Sequence, residues 1–452
     1  MMIEFRKNFN CCKTIACKNF GVVDSEDYIH KSRRLGYLSI ECKACGSNPP
    51  WINNQLVSKL LQEKLESQFG QKLTDCPKCS HYFFITEKTT TKLHGFTSAG
   101  TQRKKCTQCN TVFTVPHYKN SDALKAVLAT IVAHQDMRES IKSSGLSARL
   151  YYFYLNKLAL ILSNFSRLNE QAIIKRHYLA LHTQGKRFDL DHKRGIYTLI
   201  TSEVKSGYIL LQSNNLTQLA LQDKDIYCSL DNTVIAMENV VNAENVLIDR
   251  YAQHLNRKHF EQLLVGELKP ITNSHLIYPD KVAYIHFQLL KAFTLKTAQY
   301  AHYIEHESVL RSAALMASYS EIQNANADVY FFVPFAQTTD HLQGKEIGWW
   351  KDKWFTNEQG AYCQITSKQD KGVFRLYASE GVEHFYSYLN KHMNKGVNSR
   401  HVIDNLSEIH RVIFNYCDLI NGHTRANVFI ATDKIYTPAS LLDEALKMTV
   451  VG

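Results

Sequence analysis

Apolar side chains between residues 54 and 69 fall at Leu56, Leu60, Leu61, Leu65 and Phe69, the spacing of one helix face. The runs 122–133, 137–143 and 147–163 predict three more helices. Ser144-Gly145 supplies a tight turn before the third, and Ser147 a hydroxyl N-cap. Beyond about Tyr178 the pattern changes to strands at 187–190, 195–202 and 208–213, with Ser206-Gly207 turning the chain between the last two. A strand within 300–311 leads into a helix over 309–323, an apolar strand follows at 328–335, and 402–416 reads as a helix. The C-terminal two thirds thus predict one α/β domain, and the whole chain a multidomain α+β protein.

Composition sharpens this division. The 452 residues are 44% hydrophobic and 21% charged, which suits ordered globular structure and excludes a disordered chain. The formal charge of +11 is segregated: residues 1–180 hold 26 basic and 13 acidic side chains, and residues 181–452 hold 27 and 29. Nine of the 12 cysteines lie at or before Cys109. The first ten residues lack a charged-then-apolar leader pattern, and no stretch approaches the roughly 18 apolar residues of a membrane span. A reducing cytoplasm is therefore expected, with clustered thiols serving metal rather than disulfides.

Cys76-Pro-Lys-Cys79 and Cys106-Thr-Gln-Cys109 are paired knuckles, and a two-residue gap lets both sulfurs of a knuckle reach one tetrahedral zinc. Upstream, Cys42-Lys-Ala-Cys45 forms a third knuckle. It is expected to combine with Cys17 and either Cys12, at a four-residue gap, or Cys11, at a five-residue gap; Cys12 is the favoured ligand, which leaves Cys11 without a role. Two structural Zn²⁺ bound by eight thiolates would bring the net charge to about +7. The expected divisions are a first zinc module at 1–53, a connecting helix at 54–75, a zinc ribbon at 76–118, a helix-turn-helix at 119–170 and the α/β domain at 171–452.

Inside the ribbon, Arg103, Lys104 and Lys105 follow a small-residue hairpin, an arrangement that suits phosphate oxygens. In the helical trio the last helix carries Arg149, Tyr152, Asn156 and Lys157, candidates for contact with the bases or phosphates of double-stranded DNA. A plain three-helix packing unit would equally explain its apolar Leu150, Tyr151, Phe153, Tyr154 and Leu155. His286 and His306 read as hydrogen-bonded buried histidines. Trp349, Trp350 and Trp354 read as core with basic flanks at Lys351 and Lys353.

The order Cys76-Pro-x-Cys79, Gly95-x-Thr97-x-x-Gly100-x-Gln102-Arg103, Cys106-x-x-Cys109-x-x-x-Phe113, followed by a helix-turn-helix, resembles the N-terminal part of bacterial insertion-element transposases. That resemblance spans about residues 76–162. It implies an RNase H-like domain after residue 171 with helical insertions, a nucleoid-associated protein, and a homodimer that joins two DNA ends. It also implies an acidic triad binding Mg²⁺ or Mn²⁺ for strand cleavage and transfer. On that pattern Asp189 or Asp191 supplies the first acid, Glu305 or Glu307 the second and Glu408 the third. The chain has Glu where the family has Asp at the second place, so a domesticated regulator or defence factor that binds DNA without cutting is the alternative.

Overall fold

The computed structural model describes residues 4–34, 38–70, 73, 75–79, 90–114, 121–173, 176–191, 194–222, 274–334, 354–356, 359–366, 380–397 and 399–450. Trp349, Trp350, Lys351 and Lys353 lie outside these residues, as does the side chain of Asp191. The architecture is mixed α+β, and no described helix is long and apolar enough to cross a membrane.

The first module pairs strands β1 (Tyr28–Ser32) and β2 (Ser39–Cys42), and α1 (Asn54–Phe69) follows. Asn53 caps α1 by accepting from the Leu56 amide, and the predicted apolar face is the buried one. Strands β3 (Thr91–Phe96), β4 (Gln102–Cys106) and β5 (Val112–Thr114) form the ribbon sheet. The helical trio is α2 (Ser121–Val132), α3 (Met137–Ser143) and α4 (Ala148–Ile173). Asp136 caps α3, and Gly145, at φ +68°, makes the left-handed turn into α4 that a side chain would strain.

Seven strands build the main sheet. They are β6 (Tyr178–Asp191), β7 (Arg194–Glu203), β8 (Ile209–Asn214) and, after the short pair β9 (Leu216–Thr217) and β10 (His275–Leu276) and helix α5 (Pro279–Thr294), β11 (Gln299–Ile304). Helices α6 (Ser308–Ala317) and α7 (Tyr319–Gln323) precede β12 (Ala327–Pro334), β13 (Trp354–Thr356) and β14 (Gly360–Gln364). The order across the sheet is β13-β14-β12-β11-β6-β7-β8. Strands β6, β7 and β8 form an antiparallel meander, while β11 runs parallel to both β6 and β12. Helices α8 (Gly381–His392) and α9 (Arg400–Tyr416), the hairpin β15 (Leu419–Ile420) and β16 (His423–Thr424), and α10 (Pro438–Val450) complete the chain. Three expectations need correction. The strand expected at 187–190 is the last third of a 14-residue strand, the helix expected over 147–163 runs on to Ile173, and the helix expected over 309–323 breaks at Ser318 into α6 and α7.

One buried core runs from Phe9 through α1, the helical trio and the main sheet to Ala445, and it includes no described residue between Leu73 and Leu124, so the ribbon stands outside it. The first module is docked on the α5–α7 helices. Phe9 meets Tyr284 at 4.8 Å between ring centroids, Phe20 meets Tyr319 at 5.6 Å, and the Arg6 amide donates to Gln288. Gly21, at φ +70°, lies so close that a Cβ there would stand 2.2 Å from the Tyr319 ring. Buried polar ties reinforce this joining. Lys64 of α1 donates to Asn214 of β8, Asn214 to Asp404 of α9, and Arg400 pairs with both Glu63 and Asp404.

Candidate metal centres and nucleic-acid interface

Two sets of four cysteines converge: Cys12, Cys17, Cys42 and Cys45, and Cys76, Cys79, Cys106 and Cys109. Within each set the sulfurs all lie within 4.8 Å of one another. A tetrahedral zinc with Zn–S bonds of about 2.3 Å places its sulfurs about 3.8 Å apart. The observed pairs are Cys12–Cys45 at 3.5 Å, Cys17–Cys42 at 3.8 Å, Cys76–Cys109 at 3.5 Å and Cys79–Cys106 at 3.9 Å. Each set could therefore hold one structural zinc, with the ligands expected from the sequence. Cys11 stays outside, its sulfur 3.2 Å from Met316 Sδ and accepting from Arg6.

The second knuckles of the two sets are built alike. The Cys42 amide donates to Ser47 O and the Cys106 amide to Thr111 O, each at 2.9 Å. Gly46 (φ +72°) and Asn110 (φ +59°) follow the second cysteine of each knuckle in the left-handed region, where Gly and Asn are best tolerated. The turn brings a hydroxyl back to the sulfur, Ser47 Oγ at 3.2 Å from Cys45 and Thr111 Oγ1 at 3.1 Å from Cys109. Hydrogen bonds from Thr111 hold the Cys109 thiol down to about 6. Burial opposes ionisation of Cys45, but its bonds to Ser47 outweigh it and bring that thiol also to about 6.

The candidate nucleic-acid contacts fall on two surfaces. On β4, Arg103 is exposed and Lys104 and Lys105 are half-buried. On α4, Tyr151 and Leu155 are fully buried, whereas Arg149, Tyr152 and Asn156 are exposed, together with Leu150 and Phe153. Lys157 lies with Nζ 5.6 Å over the Phe153 ring. The apolar residues that argued for simple packing thus divide, with Tyr151 and Leu155 inward and Leu150 and Phe153 outward beside the polar candidates.

Among the described side chains, Asp189, Glu305 and Glu408 lie on separate parts of the domain. Asp189 accepts from Arg187 on the far part of β6, four residues beyond Gly185 or about 13 Å of extended strand. Asp191 ends that strand. Glu305, just past β11, accepts from the Gly185 amide at 3.0 Å, and Glu307 is buried at the start of α6. Glu408 belongs to a buried charge network elsewhere. Arg411 joins it to Glu170, which also pairs with Arg167, and both arginines donate to β8 carbonyls at Ile209 and Leu210. Burial alone would raise the Glu408 carboxyl, but Arg411 and Arg167 outweigh it and hold the group below the usual range. From β8 to β11 is three strand spacings, on the order of 14 Å, so Glu408 is not placed as a partner of Glu305. Its ion pairs with arginines on its own helix and on α4 account for the position.

Glu383 on α8 bonds to the same strand segment as Glu305. Gln184 donates to its Oε1 at 2.6 Å and Lys186 to its Oε2, so Glu305 and Glu383 both touch the segment 184–186 of β6. Burial pushes Tyr386 well above its ordinary range, and the charges of Glu305 and Glu383 push it in the same direction. The amphipathic run 381–392, with Glu383 in its first turn, was the available sequence signal. Nearby, a buried chain of hydrogen bonds runs from Ser213 to His286, Thr201, Thr183 and His302, so His286 is the satisfied core histidine expected. His306 packs edge-on to Phe331 at 4.8 Å.

Compared with known proteins, the chain matches no family model, no curated protein and no solved structure. The likeness to transposases therefore rests on the residues quoted from the sequence.

Proposed function

We propose that this chain is a zinc-stabilised, transposase-like protein that binds double-stranded DNA and acts by holding it. The observation that carries this reading is the exposed face of α4 beyond the Gly145 turn, where Arg149, Tyr152, Asn156 and Lys157 sit over a fully buried Tyr151 and Leu155. A recognition helix needs that division, with a rigid inner face and a polar, aromatic outer one at its N-terminal end. The basic strand β4 adds phosphate contacts, and the sheet order, an antiparallel meander followed by two parallel strands, supports an RNase H-like domain behind it. Binding of duplex DNA should weaken steeply between about 50 and 200 mM salt. Arg149→Ala with Asn156→Ala should weaken it further while leaving thermal stability unchanged. Weak, salt-insensitive binding by the native chain would refute the proposal.

Metal-dependent strand cleavage is the second reading, favoured by the approach of Glu305 and Glu383 to the same strand segment. In that case Mg²⁺ or Mn²⁺ would neutralise charge at the reacting phosphate. A plasmid-nicking assay on the native chain, Glu305→Gln and Glu383→Gln decides it, because a native chain that never nicks leaves DNA binding as the function.

A further inference from the structure

The ribbon sheet β3–β5, which stands outside the common core, exposes an aromatic face that neither the cysteine set nor α4 uses. We propose that this face binds single-stranded DNA, stacking unpaired bases on Phe96 and Phe113 while Lys104 meets the phosphates. The proposal extends the DNA-binding reading from a duplex to an unpaired strand, and the two can fail separately in the test below.

Register decides which side chains share the face. Leu93 pairs with Lys104 and Lys104 with Phe113, so the three form one row across the sheet. Phe96 stands three residues after Leu93, which in a regular strand would turn it to the other side. The register shifts between them, where Gly95 adopts φ +66°, and Phe96 opposes Gln102, two residues from Lys104. This bulge re-aims Phe96 onto the face of Leu93, Lys104 and Phe113. Arg103, opposite Thr114, and Lys105, opposite Lys92 and Val112, belong to the other face.

Leu93 is 73% exposed and Phe96 62%, and among the described residues no large apolar side chain is more exposed than these two. Phe113 is half-buried. Apolar surface gathered on one face and left in water marks a contact surface. Charge selects the partner. Between Lys88 and Ser121 the chain holds six basic side chains and no acidic one, so a second copy of the ribbon is repelled and a polyanion attracted. A sheet face with spaced aromatic rings and a cation offers unpaired bases a stacking surface beside a partner for their phosphates, whereas a duplex hides its base faces. DNA is favoured over RNA because 2′-hydroxyls call for polar partners, and Gln102, the amide opposite Phe96, donates instead to the Gly95 and Arg103 carbonyls.

The test uses the full chain and fluorescence anisotropy at about 200 mM salt, where purely ionic binding is weakened. The probes are labelled oligothymidylate and oligouridylate of about 20 nucleotides and a duplex of the same length. Phe96→Ala should weaken oligothymidylate binding at least about fivefold, the loss of one stacked base, and leave duplex affinity unchanged. Val112→Ala, on the opposite face, should change neither. In Phe96→Trp the added indole emission should be quenched by oligothymidylate, a readout that stands even if the alanine variant folds poorly. Single-strand binding of this kind without duplex binding supports the proposal and removes the duplex reading. Duplex binding with no single-strand binding overturns the proposal and leaves the duplex reading standing. Single-strand affinity indifferent to Phe96→Ala, tighter binding of oligouridylate than of oligothymidylate, or a native dimer that Phe96→Ala dissociates without changing affinity also overturns it.

Discussion

Replacing Cys42 with serine should release one zinc and loosen helices far from the substitution in sequence. Cys42 is fully buried among the ligands of the first set, and a serine hydroxyl does not ionise near neutral pH to replace its thiolate. Structural zinc supplies roughly 10–16 kcal/mol of apparent binding energy, comparable to the whole stability of a typical domain. A module of about 50 residues without it would not stay docked. Undocking removes Phe9 from Tyr284 and Phe20 from Tyr319. Each ring pair contributes about 0.5–1.5 kcal/mol beyond area, and each buried Phe about 1.5–3 kcal/mol. The α5–α7 helices therefore lose on the order of 4–9 kcal/mol of packing, and even the lower figure exceeds a hundredfold in local opening. Hydrogen exchange should show α5 and α7 exchanging at least a hundredfold faster in Cys42→Ser, and a chromogenic chelator should titrate one zinc per chain instead of two. The ribbon lies outside the common core, so Cys106→Ser should also lose one zinc but leave α5 and α7 protected. Two zincs retained in Cys42→Ser, or one lost with unchanged exchange in those helices, would refute the reasoning.

Further tests address the charges inside the fold. Glu170→Gln leaves Arg167 and Arg411 buried with half their counter-charge, and should cost about 3–5 kcal/mol in chemical denaturation. His286, His302 and His410 are each held down to about 3 by burial, so they stay neutral in the fold where the unfolded chain takes up protons. Their contribution to stability is complete above the ordinary histidine range near 6.5. It is lost as pH falls from there towards 3, at up to about 1.4 kcal/mol per pH unit from each. A denaturation series over that window should show the slope, and His302→Asn should flatten it. Glu408, held below its usual range, contributes stability above the ordinary carboxylate range and loses it as pH falls further, a decline that Glu408→Gln should lack. Arg149→Ala alone should cost about 1–3 kcal/mol of DNA affinity if Arg149 reads a base, and should lower the salt slope by about one if it contacts a phosphate.

The cysteine spacing pointed to the two four-cysteine groups that could hold zinc. Two thiols separated by two residues can converge on one point, so the six knuckle cysteines were readable before any fold was known, whereas the choice of Cys12 over Cys11 as partner of Cys17 was settled by the fold, which turns Cys11 towards Met316. Local period likewise determined α1, the helical trio and α9, because an amphipathic face is written at every third or fourth residue. The first half of β6 was hidden, since His182, Thr183, Gln184 and Lys186 resemble no apolar strand. They are buried or half-buried because α5 and α8 cover both faces of the sheet and supply hydrogen-bond partners from distant segments. Convergence of acids is a property of strand order and helix placement, which no local pattern encodes. Tertiary structure alone placed Glu408 among arginines and set Glu305 and Glu383 against the same segment of β6. It also seated the first cysteine module on the α5–α7 helices.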